Sequence, residues 1–283
     1  MAQLWKGAPV AAALTEQLAA RAAELAGRGV TPTLAIVRVG ERPEDLSYER
    51  GALKRCEKVG IAVRQFLLPE TAGQEELLTV ISQINRDPSI HGCLLFRPLP
   101  KHMDERAVCQ ALSPAKDVDG ITSGSLAAVF SGSGAGYPPC TAQACLEILD
   151  YYGYELKGKR AVVVGRSLVI GKPVSMLLLG RHATLTICHT RTADLAAECR
   201  RAEVLVAAAG KIGAVSAACL APGQVVLDVG ISVDEEGNLV GDVDFAAAEA
   251  TVKAITPVPG GVGAVTTSVL ARHVIEAAEK ASR

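Results

Sequence analysis

The chain has 283 residues, with 29 basic and 30 acidic side chains and a formal net charge of -1. This balance provides no concentrated positive charge for nucleic acid or an anionic membrane surface. Hydrophobic residues make up 49% of the chain, yet no apolar run approaches the ~18 residues of a membrane span. We therefore expect a folded protein with an aliphatic core and with neither nucleic acid nor membrane as a partner.

The N-terminal region and the cysteines both favour a cytoplasmic protein. An Ala-rich stretch near the N-terminus is interrupted by Thr15, Glu16 and Gln17, which predicts a surface helix rather than a signal peptide. The eight cysteines form neither a CxxC pair nor a regular framework. We expect reduced, buried thiols, and we expect no metal site.

Apolar runs of strand length alternate with helical patterns in the first half of the chain. Strands are predicted at Thr33–Val39, Ala62–Leu68 and Gly92–Phe96, and helices at Leu46–Val59 and Glu75–Asn85. Such alternation is typical of βαβ units and predicts an α/β fold with a parallel sheet.

A second α/β series follows a stretch rich in Gly, Ser and Pro at 123–139, which we interpret as the crossing between two domains. This series opens with a helix at Thr141–Tyr152 and closes with a helix at Thr267–Lys280. Its predicted strands are Arg160–Val164, Thr184–Cys188, Val204–Ala208 and Val225–Val229. The last helix could carry the chain back to the first domain.

The turn after the strand that ends at Val164 is the most informative segment. Its glycines, Gly165 and Gly171, permit tight turning, and Pro173 suits the first turn of a helix. A strand, a glycine turn and a helix together direct backbone N–H groups and the helix dipole at a phosphate. The spacing G-x5-G matches neither GxGxxG nor the Walker A pattern. An ordinary βα connection is therefore the competing interpretation.

Basic and hydroxyl side chains near this turn favour NADP. Arg166 and Ser167 lie in the turn, and Thr190 and Arg191 follow the next strand, where a dinucleotide fold meets the adenosine ribose. An acidic residue there would favour NAD, which stays the alternative, and solvated surface charge is the competing interpretation of the arginines. The predicted cofactor contacts are Gly165, Arg166, Ser167, Gly171, Thr190, Arg191 and Ile231.

Several motifs occur together in one order along the chain. They read VVVGRSLVIGKPVSMLL, CHTRT, VVLDVGIS, GDVDF and TPVPGGVGAVT in the second half, with SYERGALKRCEKVGI, KDVDG and PCT upstream. With these motifs the chain resembles the methylenetetrahydrofolate dehydrogenase/cyclohydrolase (FolD-type) family over nearly its whole length. The resemblance implies NADP-dependent oxidation of 5,10-methylenetetrahydrofolate in one-carbon metabolism, followed by hydrolysis to 10-formyltetrahydrofolate, in a homodimer.

The resemblance also implies a division of the fold. Residues 1–122 and 265–283 would form an α/β folate-side domain, to which the C-terminal helix returns. Residues 140–264 would form a Rossmann-like, parallel-sheet NAD(P)-binding domain, with a folate cleft between the two.

The folate-side residues are assigned from the same resemblance. Tyr48 would pack on the folate and Asp119 would anchor the pterin, which makes these two the predicted catalytic residues. Phe96, Gly260 and Gly261 would be further substrate contacts.

Two positions depart from the family pattern. The family's hydrolytic lysine lies four residues after the tyrosine, and a glutamine in the motif VQLPLP holds it. The corresponding residues are Ala52 and Phe96. Because both are replaced together, we predict that cyclohydrolase activity is weak or absent and that dehydrogenase activity survives.

Other interpretations also fit the sequence. Arg50, Arg55 or Arg97 could replace the lysine, although arginine would stabilise charge rather than accept a proton. The chain could instead be a non-enzymatic paralogue that binds folate or dinucleotide as a sensor or partner protein, or a different Rossmann enzyme.

Several other side chains are assigned from their positions. Asp117 is predicted to be structural, whereas Asp228 and His189 could either face the cofactor or anchor a loop. His91 and His273 are predicted at the surface or at helix ends.

Overall fold

The computed structural model describes residues 1–282 and divides the chain into two compact units. The Gly165 unit comprises Met1–Ala12 and Thr141–Thr266, and the Tyr48 unit comprises Ala13–Cys140 and the chain from Thr267 onward. This division differs from the predicted one at the N-terminus: residues 1–12 belong to the Gly165 unit because β1 (Gln3–Leu4) pairs with the strand Ala254–Ile255.

The elements alternate along the chain as an α/β fold requires. The helices are α1 (Gly7–Gly27), α2 (Pro43–Val59), α3 (Gln74–Arg86), α4 (Glu105–Ala111), α5 (Ser123–Ser131), α6 (Cys140–Tyr151), α7 (Gly171–Gly180), α8 (Leu195–Arg200), α9 (Phe245–Thr251) and α10 (Thr266–Ala281). After β1, the strands are β2 (Thr33–Val39), β3 (Ala62–Leu68), β4 (Gly92–Leu95), β5 (Arg160–Val164), β6 (Thr184–Cys188), β7 (Val204–Ala207), β8 (Val225–Asp228), β9 (Ser232–Val233), β10 (Leu239–Val240) and β11 (Ala254–Ile255). Among residues 1–282, no helix is both long and apolar enough to cross a membrane.

The Tyr48 unit is built on a three-stranded parallel sheet with the order β3-β2-β4. Alternate residues of a strand point to opposite faces. On β2, Ala35, Val37 and Val39 enter a core that also contains residues of α3 and α4, so Arg38 points to the other face of the sheet.

Helix α2 packs its buried side toward the face that Arg38 occupies, because Glu49 of α2 bonds to Arg38. It begins with Pro43 and ends at Val59, followed by Gly60, whose φ of 86° caps the helix. The buried side chains recur every three or four residues, as expected for one helix face; they are Asp45, Glu49, Ala52, Cys56 and Val59.

The Gly165 unit contains a six-stranded sheet with the order β1-β11-β8-β7-β5-β6, and every recorded strand pair in it is parallel. Strand β5 lies between β6 and β7, so the chain leaves β5 in one direction for β6 and returns on the other side for β7. In open parallel sheets, ligands bind at this reversal, outside the carboxyl ends of the strands. The predicted α/β class and the parallel-sheet domain are confirmed.

The segment 123–139 is not simply a crossing between domains. Thr122 accepts a hydrogen bond from Ser125 N through its side chain, which is the interaction that starts a helix. Helix α5 follows, and the whole segment belongs to the Tyr48 unit. This helix was not predicted from the sequence, because the Gly and Ser content concealed the threonine cap.

Candidate functional site

The Gly165 turn lies at the carboxyl end of β5, beside the reversal of strand order. Gly165 has a φ of 126°, and a Cβ at this residue would lie 2.0 Å from the Ala208 carbonyl oxygen. Its N–H donates to the Cys188 carbonyl at 2.9 Å. The turn therefore passes so close to the chain after β7 that only glycine fits.

The rest of the turn leads directly into α7. A Cβ on Gly171 would lie 2.4 Å from the Gly165 carbonyl oxygen, so this glycine is also required by close backbone approach. The Ser167 hydroxyl accepts the N–H groups of Ile170 at 3.1 Å and Gly171 at 3.4 Å. Arg166 and Ser167 are exposed. The predicted cradle is thus compact, and its basic side chain is accessible.

The loop after β6 presents Thr190 and Arg191 to solvent. His189 organises this loop: its N–H donates to the Thr192 hydroxyl at 2.9 Å, and its Nδ1 accepts the Arg191 N–H at 3.1 Å. His189 is therefore a loop anchor, which was one of its two predicted roles.

Two buried aspartates connect the end of β8 and the loop after β7 to the segment that follows β10. Asp228 accepts the N–H groups of Asp242 at 2.9 Å and Val243 at 3.1 Å. Asp242 in turn accepts the N–H groups of Ala209, Gly210 and Lys211. Asp228 thus anchors a loop, and burial raises its pKa to about 6. Ile231, three residues beyond β8, is 59% exposed.

These features fit a dinucleotide phosphate. Gly165 and Gly171 bring the backbone of the turn into close contact with its neighbours, and α7 begins at Gly171, so the positive end of its dipole lies beside the turn. Arg166 and Arg191 are exposed on successive loops of the same sheet edge.

Gly260 and Gly261 belong to the Gly165 unit and follow β11. Gly260 has a φ of 98°, and a Cβ on Gly261 would lie 2.5 Å from the Pro257 carbonyl oxygen. The turn itself thus requires both glycines, whatever they bind.

In the Tyr48 unit, α2 and the end of β4 bring two aromatic rings together. The rings of Tyr48 and Phe96 meet edge to face, with centroids 6.0 Å apart and an interplanar angle of 80°. Ala52 lies one turn after Tyr48 on α2 and is fully buried. The structure therefore places two of the predicted substrate contacts side by side and puts a methyl group on the same helix face.

Asp119 lies near the same sheet edge. The segment before it runs beside β4, where Cys93 forms a parallel bridge with Asp117. Desolvation raises the pKa of Asp119 to about 6, whereas hydrogen bonds from Cys140 and the charge of Arg97 oppose this shift. Asp117 is fully buried and accepts the N–H groups of Ile121 and Thr122, so its predicted structural role is confirmed.

The three arginines considered as lysine substitutes lie in different surroundings. Arg50 is exposed. Arg55 donates to the Thr15 hydroxyl of α1. Arg97 contacts Glu105 at 3.5 Å, and its charge acts on Asp119. Of the three arginines, Arg97 is thus the one whose charge affects the pKa of a predicted site residue, Asp119.

Some supporting residues escaped prediction. Cys140 is buried and lies against Asp119, and its thiol also contacts the Val118 carbonyl at 3.3 Å. His273 donates to that carbonyl at 2.8 Å and is 3% exposed, and His91 is 8% exposed. The predicted surface positions of both histidines were wrong. The buried, unpaired state expected for the cysteines is confirmed for all eight.

Two family models match the chain. The tetrahydrofolate dehydrogenase/cyclohydrolase catalytic domain matches residues 5–119, and the NAD(P)-binding domain of the same enzymes matches residues 139–282. Together they cover nearly the whole sequence in the order of the two units.

Relatives and solved structures agree with this match. The bifunctional protein FolD of Clostridioides difficile is 50% identical over 275 residues, which is 97% of this chain and 96% of that protein. The crystal structure of the bifunctional FolD enzyme from Campylobacter jejuni has a TM-score of 0.96 and 34% identity, covering 99% of each chain. The Trypanosoma brucei enzyme, crystallised with NADP and an inhibitor, has a TM-score of 0.92 and 33% identity, covering 100% of this chain and 99% of that one.

Proposed function

This chain belongs to the tetrahydrofolate dehydrogenase/cyclohydrolase family, and from that premise we propose that it is an NADP-dependent 5,10-methylenetetrahydrofolate dehydrogenase. The observation that carries the proposal is the Gly165 turn, the predicted phosphate cradle, where two closely packed glycines lead into α7 at the reversal of strand order, the place where open parallel sheets bind ligands. Predicted substrate contacts, Tyr48, Phe96 and Asp119, accompany this cradle in the same chain.

Hydride transfer from the folate to NADP depends mainly on how the protein positions the two molecules. NADP supplies the acceptor for the hydride that leaves the methylene carbon, and the folate is left as the 5,10-methenyl cation. Tyr48 and Phe96 provide an aromatic wall for the folate ring system, and the Asp119 carboxylate accepts hydrogen bonds from the pterin. No side chain has to take up a proton in this step, so orientation is the principal contribution of the protein.

The state of Asp119 should control substrate affinity. Its pKa is raised to about 6 by desolvation, so the carboxylate that accepts pterin hydrogen bonds is present above pH 6 and is lost as the pH falls through it. We expect KM for methylenetetrahydrofolate to rise about fourfold between pH 7.5 and pH 5.5. Steady-state kinetics across this range test the prediction, with Asp119→Asn as the control whose KM is higher and flat. A flat wild-type profile would contradict it.

The arginines of the cradle should select NADP over NAD. Arg166 and Arg191 are exposed beside the turn, and charge-assisted bonds to a 2′-phosphate contribute about 1.5–3 kcal/mol. Arg166→Ala should therefore raise Kd for NADP by about 10- to 100-fold and leave the Kd for NAD nearly unchanged, as measured by calorimetry. Arg160→Ala, at the amino end of β5, is the matched control. Equal weakening of both cofactors would refute this assignment.

We further propose that the cyclohydrolase activity is weak or absent in this chain. Ala52 and Phe96 stand where the family resemblance leads us to expect a lysine and its glutamine partner. Opening the methenyl ring requires an activated water and a proton transfer, and neither methyl nor phenyl groups can provide these. The charge of Arg97 can stabilise the transition state, but a guanidinium does not readily give up its proton and so cannot serve as a base.

A bifunctional enzyme and a non-enzymatic paralogue are the competing proposals. The homologues favour an enzyme, because relatives about half identical to this chain are named bifunctional. Location and assembly are also inferred: eight buried, unpaired cysteines suit the reducing cytoplasm, and a homodimer follows from the family.

Turnover of one substrate distinguishes the proposals. The protein is incubated with 5,10-methylenetetrahydrofolate and NADP or NAD, and reduced cofactor and methenyl product are followed separately. We expect NADPH and accumulating methenyl product. Reduced cofactor with 10-formyl product would indicate a bifunctional enzyme, and binding without turnover would indicate a non-enzymatic protein.

A further inference from the structure

A buried ion pair joins α2 to the sheet of the Tyr48 unit. Arg38 Nε donates to Glu49 Oε2 at 3.0 Å, and the two side chains are only 6% and 5% exposed. Gln65 Nε2 of β3 donates to the other carboxylate oxygen, Oε1, and Arg38 Nη1 donates to the Gly40 carbonyl. Both oxygens of Glu49 thus have a donor, and these donors come from two adjacent strands.

The two ends of the pair adjoin the two aromatic rings. Glu49 directly follows Tyr48 on α2. Arg38 directly follows Val37, whose carbonyl accepts the Phe96 N–H at 3.0 Å. The ion pair therefore connects the backbone that carries Tyr48 to the strand beside Phe96.

Hydrophobic residues could hold a helix on a sheet at least as well as this pair does. Burying two charges carries a large desolvation cost, and replacing such pairs by apolar residues of similar volume is often neutral or stabilising. Unlike apolar contacts, directional hydrogen bonds favour one geometry of α2 relative to the sheet. A carboxylate held at both oxygens permits one registry of α2 on the sheet, whereas apolar side chains tolerate small shifts.

We propose that the Arg38–Glu49 pair, with Gln65, is a positioning element that fixes the Tyr48 ring against Phe96 and thereby sets the aromatic wall for the folate. This inference rests on the proposed dehydrogenase function. The three residues need not touch the substrate. They act through the registry of α2, and a misplacement of about 1 Å at a substrate-orienting group can reduce a rate by about two orders of magnitude.

The test removes both charges together. Arg38→Met/Glu49→Leu leaves no unpaired buried charge, so the protein should fold. The matched control is Arg64→Met/Asp87→Leu, which removes an exposed pair from the same unit, 2.7 Å apart. The measurements are KM and kcat for methylenetetrahydrofolate, Kd for NADP, and the nuclear Overhauser effect between the Tyr48 and Phe96 rings in protein labelled at its five tyrosines and four phenylalanines.

We expect the Arg38/Glu49 variant to lose most of the ring-to-ring signal and to raise KM about tenfold, with NADP affinity unchanged, while the control matches wild type. An intact ring signal with a wild-type KM would overturn the proposal.

If the double variant does not fold, Arg38→Lys replaces it, because lysine keeps the charge but lacks the guanidinium fork. If wild type shows no turnover, the proposed function fails, and the ring signal alone then decides this inference.

Discussion

Restoring two side chains should create hydrolytic activity. We expect Ala52→Lys/Phe96→Gln to hydrolyse 5,10-methenyltetrahydrofolate at least about 100-fold faster than wild type, since a positioned acid or base contributes about 10²- to 10⁴-fold. Ala52 lies one helical turn from Tyr48 on the buried side of α2, so an amine there would be desolvated, which lowers the pKa of a lysine toward neutrality. The measurement is the enzyme-dependent loss of methenyl substrate.

Two single variants, Phe96→Gln and Lys54→Ala, provide the controls. Phe96→Gln alone removes the edge-to-face contact with Tyr48, worth about 0.5–1.5 kcal/mol, and supplies no base. Lys54 is an existing, exposed lysine two residues after Ala52, and Lys54→Ala should leave both activities unchanged. If the double variant folds, binds folate and hydrolyses no faster than wild type, the assignment of these two positions is wrong.

Adding one methyl group to the turn should abolish cofactor binding. A Cβ on Gly165 would lie 2.0 Å from the Ala208 carbonyl oxygen, at a φ of 126°. Strained backbone of this kind costs about 1–3 kcal/mol before any clash is counted. Gly165→Ala should therefore displace the turn and raise Kd for NADP by at least about 100-fold, measured by calorimetry.

Gly180→Ala is the matched control, because Gly180 ends α7 in the same unit and its Cβ would meet nothing within 4 Å. Its NADP affinity should equal that of wild type. Folate binding to Gly165→Ala should persist, since Tyr48 and Asp119 belong to the other unit. A wild-type affinity for NADP in Gly165→Ala would contradict the assignment of this turn as the phosphate site of the cofactor.

The local sequence pattern was sufficient to predict the regular secondary-structure elements that position the site. The strands Thr33–Val39, Ala62–Leu68, Arg160–Val164 and Thr184–Cys188 have the predicted bounds, because each is a short stretch in which apolar residues predominate and which is bounded by breaks in the pattern. The hairpin of β9 and β10 escaped prediction because its strands have two residues each, too few to show alternation.

The side-chain contacts that support the site could not be predicted from the local sequence pattern. Arg38 lies within an apolar strand, and its partner Glu49 is 11 residues away, while Gln65 is 16 residues from Glu49. His273 is buried because it bonds a carbonyl 155 residues earlier in the chain. Such pairings depend on tertiary packing, so the motifs predicted candidate ligand contacts but not the residues that hold those side chains in place.

We propose that this chain has dehydrogenase activity without an effective cyclohydrolase. The most direct measurement is the initial rate of 5,10-methenyltetrahydrofolate hydrolysis at increasing enzyme concentration, in protein already shown to reduce NADP with methylenetetrahydrofolate. We expect a rate that stays at the spontaneous value at every enzyme concentration. A rate that rises in proportion to enzyme would contradict it.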